Sequence, residues 1–100
     1  MANLDDFFFY PRVYNIKTDE IPENSVNVMR PSKWGNPFKL SDYNNDRDKV
    51  LDLYTQWIYN RCEDPYFLQE LKDDLKGKHL LCCCRPKKCH ADVLLIIANQ

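Results

Sequence analysis

Apolar and polar residues alternate in two short segments near the start of the chain, which predicts two strands. Residues 12–16 read Arg-Val-Tyr-Asn-Ile and residues 25–29 read Ser-Val-Asn-Val-Met, so both contain β-branched residues in an alternating pattern. A third apolar run, Leu80 to Cys84, is followed at once by a break at Pro86. This run predicts a further strand that ends in a tight turn.

Helical periodicity appears in three other segments. Residues 45–61 carry apolar side chains at helical spacing, which indicates a helix with one buried face. The next helix is bounded by Asp64, a good N-cap, and by Gly77, which fits just past a helix end. The last helix, from about residue 89 to 98, is nearly all apolar, so we expect it to be largely buried.

The predicted order of elements is strand, strand, helix, helix, strand, helix. This order favours an α/β fold: a small Rossmann-like single domain over residues 1–100, with a short, mostly parallel sheet packed by about three helices. Ligands of such folds bind beyond the carboxyl ends of the strands. The loops 30–38 and 85–88 each follow a strand, so we expect them to meet at one edge of the sheet.

Composition and charge narrow the function classes. Fourteen basic and fifteen acidic side chains give a net charge of -1, so we expect no extended nucleic acid as partner. Four of the five cysteines lie within eight residues, which is unlike a disulfide framework and indicates a reducing compartment. No stretch has membrane-spanning length, and the start lacks the cations of a signal peptide. We therefore expect a cytoplasmic protein with no membrane partner.

The loop 30–38 reads Arg-Pro-Ser-Lys-Trp-Gly-Asn-Pro-Phe and allows two interpretations. In one, its aromatic residues cap the core and its cations are solvated. In the other, the loop is a preformed rim for an anionic, aromatic ligand such as a nucleotide, with Trp34 stacked on a base. The candidate ligand-binding residues are Arg30, Ser32, Lys33, Trp34, Asn36, Arg85 and Lys87.

Three chemistries compete for the cysteine cluster. A structural zinc site would use Cys82, Cys84, Cys89 and His90, a complete three-sulfur, one-nitrogen set, but the spacing is not that of a zinc finger and we do not favour it. Alternatively, Cys89 is a reactive thiolate with His90 as its catalytic partner, since a helix N-terminus and neighbouring cations lower a cysteine pKa. In the third alternative the thiols only pack, and the turn binds a phosphate.

Two motifs together carry a family resemblance. The loop 30–38, combined with the pattern Cys82-x-Cys84-x-Pro86-x-x-Cys89-His90-x-Asp92-Val93-Leu94, resembles domain-of-unknown-function family 4326 of bacteria and phages. The resemblance covers about residues 13–98. It implies a small cytosolic α/β domain, often phage-encoded and then located in the host cytoplasm, and it implies no particular reaction.

Two functions of different classes follow. In the first, a phage-type protein binds a nucleotide-like or phosphate-bearing small molecule at the two loops, with thiol chemistry left open. In the second, the chain is a non-enzymatic module that binds a host protein, for host takeover or anti-defence, and zinc or packed thiols only stabilise the fold.

Overall fold

Three short strands form one parallel sheet in the computed structural model, which describes residues 11–83 and 87–100. The strands are β1 (Val13–Asn15), β2 (Ser25–Asn27) and β3 (His79–Cys82), and their order in the sheet is β1-β3-β2. Both strand pairs are parallel. All four residues of the central strand β3 are buried. The predicted strands and their parallel arrangement are confirmed.

Three α-helices and one 3₁₀ turn pack around this sheet in the described part of the chain. The helices are α1 (Arg47–Arg61), α2 (Pro65–Leu75) and α3 (His90–Ala98), and the 3₁₀ turn is Leu40–Tyr43. Asp46 caps α1, because its side chain accepts the backbone N–H of Lys49. Asp64 caps α2 in the same way, with Pro65 in the first turn and Gly77 past the end at a φ of 75°.

The core lies between the sheet and the inner faces of the helices. Tyr54 and Ile58 of α1, Leu71 of α2 and Leu94 of α3 are fully buried, together with Leu80 of β3. These side chains come from every major element, so one continuous core holds the sheet and helices together. The predicted fold class, a small α/β domain with a short parallel sheet and three helices, is therefore confirmed.

The last helix is less buried than its composition suggested. Ile96 of α3 is 59% exposed, whereas Leu94 and Ile97 are buried. A helix at the surface of a three-stranded sheet can bury only one face, and an apolar residue on the other face remains in water. No helix among the described residues is long and apolar enough to cross a membrane.

The sheet topology brings two loops together. β2 and β3 are parallel neighbours, and Val28, just after β2, donates its backbone N–H to the carbonyl of Leu81. The segments that follow the two strands therefore leave the sheet at the same edge, as predicted from their positions in the sequence.

Candidate functional site

A cavity of about 360 Å³ opens at the carboxyl edge of the sheet. It lies between the loop after β2, the turn after β3, the start of α1 and the start of α3. Its described lining residues are Met29, Arg30, Asn36, Phe38, Leu40, Arg47, Val50, Leu51, Cys83, Lys88, Cys89 and His90.

Positive charge is concentrated at this cavity. Arg30, Arg47 and Lys88 line it, and none of its described lining residues is an aspartate or glutamate. The whole chain, by contrast, has fifteen acidic and fourteen basic side chains. Such segregation of charge gives the cavity a positive potential that favours an anion.

Apolar side chains make up much of the remaining lining. Phe38, Leu40, Val50 and Leu51 are among them, and the ring of Phe38 makes an edge contact with Tyr43, with ring centroids 6.3 Å apart. The side-chain oxygen of Asn36 accepts the backbone N–H of Phe38 at 2.8 Å, which orients the end of the loop. The cavity therefore combines cationic groups with apolar and aromatic ones.

Gly35 fixes the position of Arg30 by close approach. A Cβ atom at Gly35 would lie 2.8 Å from the backbone nitrogen of Arg30 and 2.9 Å from its Cα. Real Cβ atoms do not approach backbone so closely, so any other residue would push Arg30 from its place. The glycine of the loop motif is thus explained by packing within the loop.

His90 is held in one orientation as the first residue of α3. Its Nε2 atom donates to the carbonyl oxygen of Val28 at 2.7 Å, and its ring contacts Tyr54 edge-on with centroids 5.2 Å apart. Because a carbonyl only accepts, Nε2 carries the hydrogen. Burial lowers the pKa of His90. The imidazole that lines the cavity is therefore a neutral one, tied to the end of β2.

Tyr54 connects this histidine to the loop. Its hydroxyl donates to the backbone carbonyl of Trp34 at 2.7 Å, and the side chain is fully buried in α1. Desolvation raises the pKa of Tyr54, so the hydroxyl stays protonated as a donor. One core tyrosine thus positions both the loop after β2 and the start of α3.

Cys89 has a neighbour that differs from the predicted one. Its Sγ atom lies 3.0 Å from the Sγ of Cys82, and both thiols are buried. The hydrogen bond with Cys82 and burial raise the pKa of Cys89, and they outweigh the lowering expected from the helix N-terminus. Asp92 caps α3, because its carboxylate accepts the backbone N–H of Cys89.

Two of the predicted ligand-binding residues face away from the cavity. Trp34 is only 3% exposed and packs against Phe67 of α2, so the expectation that it stacks on a base is wrong. Lys33 pairs with Glu70 at 2.7 Å and lies 3.8 Å from Asp74, which directs its charge to α2. For Lys33 and Trp34, the structure agrees with the interpretation in which the aromatic ring caps the core.

The other candidates are divided between the cavity, the loop 30–38 and the residues that the structure does not describe. Arg30 and Asn36 line the cavity, and their role in binding stays a prediction, whereas the hydroxyl of Ser32 accepts the backbone N–H of Trp34 within the loop. Lys87 and Lys88 are both exposed, and of the two only Lys88 lines the cavity. Arg85 lies outside the described residues, so its binding role stays a prediction.

The proposed zinc set is not assembled by the residues that the structure describes. Cys82 and Cys89 are adjacent, but Nε2 of His90 is bonded to Val28, and Cys84 lies outside the described residues. Within residues 11–83 and 87–100, no three metal-binding side chains cluster.

Sequence reasoning missed Arg47 and did not single out the apolar lining. Arg47 is the first residue of α1, and nothing in the sequence indicates that this helix begins beside the turn after β3. The adjacent cap Asp46 marks where the helix starts but not what it faces. Only the tertiary arrangement brings Arg47 into the same cavity as Arg30.

The comparisons with known proteins agree with the resemblance seen in the sequence. The chain belongs to the family described as Domain of unknown function (DUF4326), which matches residues 12–100. It is also similar to a protein of Enterobacteria phage T4, described as an uncharacterised 12.4 kDa protein in the nrdA-td intergenic region. The two are 28% identical over 75 residues, which is 75% of this chain and 68% of the phage protein. No solved structure matches the chain.

Proposed function

We propose that the chain binds a small phosphate-bearing ligand, of mononucleotide size, in the cavity at the carboxyl edge of the sheet. The observation that carries this proposal is the set of three cations, Arg30, Arg47 and Lys88, in a cavity with no carboxylate among its described lining residues.

The chemistry of the cationic groups suits a phosphate group. Two guanidinium groups can each present two parallel N–H donors to phosphate oxygens, and Lys88 adds a compact charge beside the start of α3. No ion pair involves Arg30 or Arg47 in the described part of the chain, so their charge is available to a ligand. The charge of Lys33, by contrast, is already paired with Glu70 and Asp74 of α2.

The size and apolar lining of the cavity indicate what the phosphate is attached to. A volume of about 360 Å³ falls in the lower part of the range of small-molecule sites, roughly 300–1,000 Å³. Phe38 and Leu51 offer an apolar surface for a flat group, and the side chain of Asn36 adds a polar one. A mononucleotide combines an anionic end with a flat, partly apolar end, and it is the ligand class we favour.

The proposal concerns binding. The sequence-based idea that Cys89 and His90 form a catalytic pair stays a prediction, and their side chains are bonded to different partners, Cys82 and Val28. Binding of a host protein likewise stays a prediction.

A thermal-shift screen of mononucleotides and inorganic pyrophosphate tests the proposal. A ligand at 100 times its Kd adds about 2.7 kcal/mol to the stability of the folded state, which raises the Tm by several degrees. Arg47→Ala should remove this shift. Lys49→Ala is the matched control, because it removes an exposed cation from the same turn of α1 outside the cavity.

Two results would contradict the proposal. One is the absence of any shift with every mononucleotide and with pyrophosphate. The other is an equal loss of the shift in Arg47→Ala and Lys49→Ala, since that would place the anion on the general surface charge and not in the cavity.

A further inference from the structure

Two buried thiols lie side by side behind the wall of the cavity. Cys82 is the last residue of β3 and is 1% exposed, and Cys89 is the N-cap of α3 and is 5% exposed. Their Sγ atoms are 3.0 Å apart. The ligand site described above makes no use of this pair, although Cys89 also lines the cavity.

The distance between the sulfurs favours a disulfide over a shared metal. Two thiolates on one tetrahedral zinc, with bonds of about 2.3 Å, lie about 3.8 Å apart. A disulfide bond measures about 2.05 Å. From 3.0 Å the sulfurs must approach by only about 1 Å to bond. No third metal-binding side chain joins them among the described residues.

We propose that Cys82 and Cys89 form a reversible disulfide that weakens ligand binding in the cavity. The effect on the ligand rests on the proposed function, but formation of the bond does not. The oxidant is a peroxide, which can reach Cys89 through the cavity, and the reductant that restores the thiols is a low-molecular-weight dithiol.

The chemistry balances in two steps. The first step is slow, because the buried Cys89 thiol must lose its proton before its sulfur attacks hydrogen peroxide. The O–O bond then breaks, Cys89 becomes a sulfenic acid, and the leaving hydroxide takes up the released proton as one water. The sulfur of Cys82 then attacks that of Cys89, the S–S bond forms, and the S–O bond breaks. The leaving hydroxide takes the proton of Cys82 as a second water. Two thiols lose two electrons in total, and one peroxide is reduced to two waters.

The bond would alter the cavity through the start of α3. Cys89 is the N-cap residue of α3, and its backbone N–H donates to the carboxylate of Asp92 in the first helical turn. Movement of the Cys89 sulfur toward β3 pulls on this cap and shifts its two neighbours, Lys88 and His90, in the cavity wall. The oxidised form should therefore bind an anion more weakly.

Peptide mapping after peroxide treatment tests the bond. Trypsin cleaves after Lys87 and Lys88, so it separates the peptide with Cys82 from the peptide that begins at Cys89. The wild type should yield these two peptides linked, and Cys82→Ala should not. Matched controls are Cys83→Ala and Cys84→Ala, which remove neighbouring thiols from the same peptide and should keep the link.

Three results would overturn this assignment: no link in the oxidised wild type, a link that persists in Cys82→Ala, or a link lost in Cys83→Ala. The first is read on the unmodified chain, so it does not depend on a variant that folds. A thiol count on the same sample should fall from five to three.

Binding of pyrophosphate to the reduced and oxidised wild type tests the regulation. The oxidised form should bind at least about threefold more weakly, and dithiothreitol should restore the affinity. Equal affinities would overturn the regulation while the peptide link still shows the bond. If neither form binds pyrophosphate or any mononucleotide, the proposed function fails, and the link alone decides whether the bond forms.

Discussion

The loop 30–38 contains two pairs of one cation and one aromatic ring, and the two pairs serve different ends. Arg30 and Phe38 line the cavity. Lys33 and Trp34 belong to the fold, since the lysine pairs with acidic residues of α2 and the tryptophan is buried against the same helix. The residue types are nearly the same in both pairs, so composition alone does not decide which pair meets a ligand.

What separates the pairs is the partner that each finds within the chain. The hydrogen bond from Lys33 to Glu70 raises the pKa of the lysine and satisfies its charge. In the described part of the chain Arg30 has no such ion pair, and Gly35 packs closely enough to hold it at the cavity. A cation that is positioned but not neutralised is the better candidate for binding an external anion.

The largest expected effect is on the stability of the fold, through the buried ring of Trp34. Trp34→Ala removes a buried ring from the core and should lower the free energy of unfolding by about 3–5 kcal/mol. The matched change Phe38→Ala, at a half-buried ring, should cost less stability but should weaken ligand binding. Urea denaturation and titration with a mononucleotide measure the two effects. Equal losses of stability in both variants would show that the two rings are not divided as described.

The next effect concerns Gly35, because its substitution should change both the stability of the fold and the position of Arg30. Gly35→Ala places a Cβ against the backbone of Arg30, and overpacking of this kind costs about 1–3 kcal/mol. Because the strain is relieved by moving Arg30, pyrophosphate binding should fall as well. Gly77→Ala is the control for a general glycine effect, since nothing lies near its Cβ although its positive φ makes the change unfavourable. If Gly35→Ala binds pyrophosphate like the wild type, Gly35 does not position Arg30.

The smallest effect concerns pH. Burial lowers the pKa of His90 below its ordinary value of 6.5, so the unfolded chain binds the proton more readily than the folded one. The stabilising contribution of neutral His90 is therefore complete above pH 6.5 and is lost as the pH falls toward the pKa of the folded state. In melting curves between pH 5 and 7.5, the variant His90→Gln should lose this part of the pH dependence. Identical profiles for the variant and the wild type would contradict the assignment.

The sequence predicted the elements better than it predicted their surroundings. Asp64 and Gly77 mark helix ends through local backbone chemistry, and local signals of this kind are readable without the fold. The side on which Trp34 lies depends on α2, which follows it by about thirty residues, so no local pattern contains that information. Arg47 was missed for the same reason.

Cys89 shows the limit of a local argument about charge. Its place at a helix N-terminus and beside cations predicts a lowered pKa, and that reasoning holds for an exposed thiol. The fold buries the thiol and places Cys82 beside it, and these two effects dominate. The contact joins the end of β3 to the start of α3, a pairing that the strand and helix patterns do not specify.

The central claim is that, within the loop 30–38, Arg30 at the cavity binds an anion and Lys33, which is paired with α2, does not. Isothermal titration of pyrophosphate into Arg30→Ala and Lys33→Ala tests this most directly, because each variant removes one cation from the same loop. Loss of charge-assisted hydrogen bonds should weaken binding to Arg30→Ala by about tenfold or more, while Lys33→Ala binds like the wild type. Equal weakening in the two variants, or a loss confined to Lys33→Ala, would contradict the claim.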